Sequence, residues 1–344
     1  MEFHFIKYSA LIIIELIIVV AGMLASSSVP IHAYNKLLGL VSNGQQSSSP
    51  TSHMVFVSSK VKTSVETTLV STKSSSNSTS NKVVILTFGD TKKSQFTNAK
   101  PILDQYGFKA GFFITCSYAN DRSRYHLNWT DILTLQKDGQ DIESKGMTPT
   151  DLNNLSSSAL IYQIAGSKQC LESHGIKSPN WFAPKYGDVW DNATVINAIS
   201  KDYQFADDGN AGLMFLHCDG YKRYSSQTDC RTYFDNGTLT FANIYSIREW
   251  SHNALDNRYL HNDTIIFQKF IQEVNSGINF SAKKGMVDAI PIVAYHIVDN
   301  SLDPSSTDIN LFASEMKYLH DNGFRVIPVS DLGYNQTTNF MYLR

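Results

Sequence analysis

Lys82-Val-Val-Ile-Leu-Thr-Phe-Gly-Asp-Thr91 is the stretch that decides the fold. Val83 to Leu86 is an unbroken run of apolar β-formers, continued by Thr87 and Phe88 and stopped at Gly89-Asp90. An apolar run of strand length, without polar alternation, reads as a strand buried on both faces of a parallel sheet. Strands of α/β barrels present functional side chains at their C-terminal ends, and Asp90 stands at such an end. An aspartate after a strand also serves as a turn cap, so this segment alone leaves both roles open.

Working outward, strand-like and helix-like patterns alternate along the chain. The sequence predicts strands over Lys109–Thr115, Gln140–Ser144, Trp181–Pro184, Tyr203–Ala206, Asn243–Arg248, Ala289–Tyr295 and Arg325–Pro328. Between them it predicts helices over Thr97–Tyr106, Trp129–Asp138, Ser156–His174, Asn192–Lys201, Asp263–Ser276 and Thr307–Asn322. Gly107 and Gly139 stop the first two helices. Alternation sustained this long implies an α/β fold, a parallel sheet with helices outside, open or closed into a barrel. Leu213–Thr240 interrupts the rhythm and reads as an inserted loop.

Upstream of Lys82 the composition changes. Ala10 to Ala25 is apolar except for Glu15 and is preceded by Lys7. That run is long for a signal peptide and slightly short for a membrane span. Residues 1–33 are therefore read as a signal peptide or an N-terminal membrane anchor. Residues 34–81 are dominated from Gln45 by Ser and Thr, ending in Ser74-Ser-Ser-Asn-Ser-Thr-Ser80. A tract with so few core-forming residues is expected to be a flexible stalk. The domain itself is expected over 82–335.

Charge excludes some functions. With 29 Lys and Arg against 31 Asp and Glu, and no basic block, nothing favours a nucleic-acid partner. Asn-x-Ser/Thr sequons at Asn77, Asn128, Asn154, Asn192, Asn236, Asn262, Asn279 and Asn335 point to a glycosylated, extracellular chain, secreted or on the outer face of the cell membrane. Of the four cysteines, Cys218 and Cys230 close a short polar loop and are expected to form a disulfide. Cys116 and Cys170 either pair across the fold or remain as thiols, Cys116 as a buried one.

Five segments, taken in order, resemble the polysaccharide deacetylase family, the NodB-homology or carbohydrate esterase 4 group. The family's opening Thr-Phe-Asp-Asp-Gly is matched by Thr87-Phe88-Gly89-Asp90-Thr91. Its Gly-His-Glu-Ile-Gly-Ser-His-Thr-Met-Thr-His-Pro-Asp-Leu is matched by Gly139-Gln-Asp-Ile-Glu-Ser-Lys-Gly-Met-Thr-Pro-Thr-Asp-Leu152. Its Phe-Arg-Pro-Pro-Tyr-Gly becomes Phe182-Ala-Pro-Lys-Tyr-Gly187, and Pro291-Ile-Val-Ala-Tyr-His296 resembles the strand that ends in the family's late histidine. Gly323 to Leu332 resembles its closing strand. The resemblance implies an irregular (β/α) barrel that removes N-acetyl groups from amino-sugar polymers, and an extracellular N-acetylated glycan as partner.

The resemblance also implies a site, and here the sequence departs from it. In the family the first aspartate is the base. The second binds a divalent metal such as zinc with two histidines, an arginine orients the base, and the late histidine protonates the leaving amine. Here Gly89 stands at the base position, Lys145 and Pro149 at the two metal-histidine positions, and Ala183 at the arginine position. Asp90 and His296 alone keep the family's residue types, as vestigial catalytic positions. One aspartate beside a lysine does not make a zinc site, which needs three or more protein ligands. No cofactor is therefore expected, although Glu143, on the same strand face as Asp141 and Lys145, is a candidate substitute ligand. His126, His174 and His217 are read as surface or capping histidines. Two functions follow: a deacetylase-like hydrolase with the standard site largely lost, or a non-catalytic glycan-binding or envelope structural protein.

Overall fold

The computed structural model describes residues 82–185, 187, 192–207, 213–216, 231–233, 239–252, 262–279, 289–337 and 340–344. The expected anchor, the stalk, the Cys218–Cys230 pair, His217, Asn77 and Asn236 lie outside them.

The strands that matter are β1 (Val83–Phe88), β2 (Gly111–Ile114), β3 (Asp141–Ser144), β4 (Trp181–Phe182), β5 (Phe205–Ala206), β6 (Leu213–Phe215), β7 (Trp250–His252), β8 (Ala289–Tyr295) and β9 (Arg325–Ile327). They form one nine-stranded sheet whose main path runs β5-β4-β3-β2-β1-β8-β6, with β9 on β1 and β7 on β8. All pairings but that of β6 are parallel. β1 is buried along its whole length, as is β8, and the two pair with Leu86 opposite Val293 and Phe88 opposite Tyr295. Beyond β5, Ile247 forms a parallel bridge to Asp207, and β7 follows it directly to pair with β8. The segment 247–252 thus runs from the β5 end round to β8, and the sheet curls into an irregular (β/α) barrel.

Alternation along the strands creates two cores. Val83 and Ile85 point into the lumen with Phe113, Trp181, Ile290, Ile292 and Ile327. Val84, Leu86 and Phe88 point outward under the helices with Phe112, Ile114, Val293 and Tyr295. Phe88 is enclosed by Phe112, Tyr295 and Phe312 at ring-centroid distances of 4.8, 5.5 and 6.0 Å. By the same alternation, position 89 continues the lumen face of β1, and position 296 that of β8.

The structure corrects several sequence expectations. The helix expected over 156–174 is two, Ser157–Gln163 and Ala165–Ser173, meeting at Ile164. Gln163 is drawn off to the loop after β3, where its Oε1 accepts from Thr148 N at 3.0 Å. No strand runs over 243–248: Asn243–Tyr245 forms a short 3-10 turn, and the strand on β8 is Trp250–His252. The expected insertion is partly structural, since β6 pairs antiparallel with β8. The domain also continues past 335. Leu332–Asn335 pairs antiparallel with Phe340–Leu343, and the buried Met341 donates its N–H to Leu216 O at 3.1 Å.

Cys116 and Cys170 form a disulfide that ties the short helix after β2 to the helix Ala165–Ser173. The bond spans a sequence separation of 54, a loop for which the chain-entropy estimate gives about 4 kcal/mol of stabilisation. Cys170→Ser is expected to lower urea-unfolding stability towards that amount. An unchanged midpoint, with both thiols reactive in the parent chain, would show that the bond is absent.

Candidate functional site

The site begins where β1 ends. Two consecutive non-glycine residues, Asp90 and Thr91, take positive φ values of 68° and 56°. For a β-branched residue such as Thr91 this is an unfavourable region, tolerated where surrounding contacts fix it. Thr91 is fully buried, its Oγ1 accepts from Thr115 N at 2.8 Å, and its carbonyl accepts from Leu127 N at 2.9 Å. This turn places the Asp90 carboxylate over the end of β8.

There Asp90 meets His296, whose Nδ1 donates to Asp90 Oδ2 at 2.8 Å. On the other edge of the ring, Nε2 lies 2.9 Å from Ser251 Oγ. Ser251 pairs with Ala294 across β7 and β8, so it shares the lumen face with His296, two residues further along. Gln95, buried, fastens the arrangement: its Nε2 donates to Gly89 O and, at 2.7 Å, to His296 O. A second lumen carboxylate, Glu249, accepts from Thr87 Oγ1 at 3.2 Å. Behind β7, buried His252 places Nε2 2.7 Å from Glu315 Oε1 and Nδ1 2.9 Å from Thr307 Oγ1. Tyr295 OH donates to Glu315 Oε2 at 2.8 Å. A strand of three residues is held in register by that polar cluster, because breaking it would strand buried groups.

Position 89 has no side chain, and its neighbours have taken up the space. A Cβ built there would lie 3.3 Å from Lys145 Nζ and 3.4 Å from His296 Nδ1, so the absent side chain is where Lys145 and His296 converge. Lys145 itself makes no direct ion pair with Asp90. Burial raises the Asp90 pKa, but the His296 hydrogen bond and the charges of Lys145, His296 and Lys92 outweigh it and hold the carboxyl well below the usual range.

Other positions singled out by sequence are elsewhere. Pro149 offers its carbonyl to Lys185 Nζ at 3.0 Å, and Ala183 is buried with its N–H on Ser144 O. Glu143 is not a substitute ligand beside Asp90: it is buried, and its Oε2 accepts from Asn180 N and Trp181 N at 2.8 and 2.7 Å. His126 pairs with Asp121 at 2.7 Å, and His174 stacks on Trp129. Gln95, Glu249 and Ser251 were missed by sequence reasoning. Polar residues in short, non-periodic segments carry no signal until the fold brings them together.

The family's metal does not fit this donor set. Asp90 and His296 are bonded to each other, an ammonium and a proline stand at the other ligand positions, and no group of three His, Cys, Asp or Glu among the described residues is placed to hold an ion.

Residues 76–206 match the family model described as polysaccharide deacetylase. The matched segment holds β1 to β5, and this part of the chain is similar to the polysaccharide deacetylase domain. No curated protein sequence matches it. Among solved structures it resembles the CE4 domain of a multidomain xylanase from the hindgut metagenome of Trinervitermes trinervoides, at 16% identity and TM-score 0.46 over 72% of this chain and 88% of that one. A peptidoglycan deacetylase from Bacillus subtilis aligns at 15% identity and TM-score 0.45 over 72% and 88%. A CE4 family pseudoenzyme from Bacillus anthracis aligns at 14% identity and TM-score 0.45 over 72% and 64%.

Glu143 generates a pH prediction. Burial, helped by the charge of Asp141 and opposed by the Trp181 and Asn180 N–H groups, pushes its pKa from 4.5 up to about 8. The folded state then binds a proton that the unfolded state releases, so the stabilisation is full below about 4.5 and is lost as pH rises to about 8. The limiting slope is about 1.4 kcal/mol per pH unit. Glu143→Gln keeps an acceptor for both N–H groups and is expected to flatten this decline in urea-unfolding stability. Parallel pH profiles for the two proteins would contradict it.

Proposed function

We propose that this chain is an extracellular, glycan-directed member of the polysaccharide deacetylase family in which metal-dependent N-deacetylation has been lost. The observation that carries the reading is the replacement of the metal's surroundings: Lys145 Nζ packs against glycine at position 89 while Asp90 is committed to His296. An ammonium supplies positive charge without coordination geometry, and it opposes entry of a dication. The base position has no side chain to take a proton from water.

Location is supported by residues rather than by the barrel. The apolar run Ala10–Ala25 suits export or anchoring, and the Cys116–Cys170 bond suits an oxidising compartment. Of the sequons, Asn128, Asn154, Asn262 and Asn335 are exposed, whereas Asn192 is partly buried with its Nδ2 on Asn153 Oδ1 at 3.0 Å. A glycan partner is suggested by the similarity of residues 76–206 to the family, and the membrane would be reached through the N-terminal segment.

The full chain is expected to retain no zinc, nickel or cobalt after dialysis and to leave N-acetylated chitooligosaccharides intact. Gly89→Asp, Lys145→His, Pro149→His and Ala183→Arg together are expected to be needed before zinc binding and amine release are seen. Stoichiometric zinc on the unaltered chain, with chelator-sensitive deacetylation, would overturn the proposal.

A further inference from the structure

The residues left by the lost metal site form an acid–base–nucleophile chain of another kind. Asp90 Oδ2 receives Nδ1–H of His296 at 2.8 Å, and the opposite nitrogen of the same ring faces Ser251 Oγ at 2.9 Å. A carboxylate can only accept, so the shared proton sits on Nδ1. In the neutral ring Nε2 is then left as the acceptor for the Ser251 hydroxyl. This is the order carboxylate, imidazole, hydroxyl that activates a serine for acyl transfer, recognised by geometry and roles rather than by fold or chain order.

Three features of this chain argue for more than a chance hydrogen bond. The members come from three separate strands, β1, β8 and β7, and each is fixed from behind: Asp90 by the Thr91 turn, His296 by Gln95, and Ser251 by the buried neighbours Trp250 and His252. The carboxylate and the imidazole are partly open, at 33% and 20% of their side-chain surfaces, so the chain is neither sealed in the core nor loose on the surface. Finally, the Lys145 ammonium lies beside His296 in the space left by the missing side chain of Gly89, close enough to the chain to balance negative charge developing there.

We propose that Ser251 is the nucleophile of a metal-independent acyl transfer from carboxylic esters, with His296 as its general base and Asp90 as the residue that orients the ring. Ser251 Oγ bonds to the acyl carbon as its proton passes to His296 Nε2. The bond from that carbon to the alcohol oxygen breaks, and the proton on Nε2 goes to the departing alcohol. Water then adds to the acyl-serine and gives its proton to Nε2. The bond from the acyl carbon to Ser251 Oγ breaks, the proton returns to Ser251, and the carboxylic acid leaves. No oxidant, reductant or metal enters the balance. The proposal is independent of the glycan reading: it concerns how an acyl group is moved, whatever alcohol carries it.

The test uses the purified full chain with a fluorophosphonate reagent and with p-nitrophenyl acetate, both in the presence of a chelator. The expected result is one phosphonyl adduct, mapped by peptide mass to Ser251, and p-nitrophenol release that the chelator does not alter. Ser251→Ala is expected to abolish the adduct, and His296→Asn to slow both reactions by ~10²-fold or more, with thermal unfolding used to confirm that each variant is folded. Ser251→Cys keeps a nucleophile at the same place and is expected to take up iodoacetamide faster than the chain's other residues do. Absence of any adduct on the parent chain, or an adduct and ester turnover unchanged in Ser251→Ala, would overturn the proposal. Zinc-dependent deacetylation would instead count against the loss of the metal site, and the mapped adduct would still decide the role of Ser251.

Discussion

The parallel pairing of β1 with β8 is the constraint on which the rest of the structure depends. Both strands are buried on both faces and lie side by side through Phe88 and Tyr295. Because they run the same way and are in register, they end together, and the residues just past each end meet: Gly89 and Asp90 from one, His296 from the other. Gly89 N donates to Tyr295 O at 2.8 Å, which carries the pairing one residue beyond the strand itself. Shifting β1 by one residue against β8 would turn its lumen face outward and separate the carboxylate from the imidazole.

The same geometry explains how a site can change its chemistry while its framework persists. The barrel needs apolar side chains along the strands, and it places few demands on the residues at the strand ends. Gly89 and Lys145 stand just past the ends of β1 and β3, and neither takes part in the two cores. What must be kept is charge balance. Asp90 is partly buried, and a carboxylate there without compensation is costly. His296 supplies the direct partner, while Lys145 and Lys92 contribute at longer range. The direct partner is thus His296 and not Lys145, although Lys145 stands at a former ligand position.

The fold was legible in the sequence because burial on both faces leaves a strong mark. Val83 to Phe88 and Ala289 to Tyr295 are apolar throughout, and the predicted bounds of both strands coincide with the observed ones. Helix Asp263–Ser276 was equally clear from its amphipathic pattern. Weaker signals failed where tertiary contacts decide. Trp250-Ser-His252 has no apolar periodicity, and its strand character comes from pairing with β8 and from the His252–Glu315 cluster. The apolar residues before it, Ile244 to Ile247, drew the predicted strand upstream. The candidate site was half legible. Asp90 and His296 sit in recognisable motifs, but a serine in a three-residue strand and a glutamine at the start of a helical segment announce nothing in one dimension.

The central claim is that Asp90 serves His296 and not a metal, and the imidazole itself reports this. In the full chain labelled with nitrogen-15 at histidine, His296 is assigned by comparison with His296→Asn. The account predicts that its Nδ1 carries a proton held in a hydrogen bond, that Asp90→Asn shifts this resonance, and that added zinc leaves it unchanged. A His296 resonance indifferent to Asp90→Asn, or one that moves stoichiometrically with zinc, would contradict it.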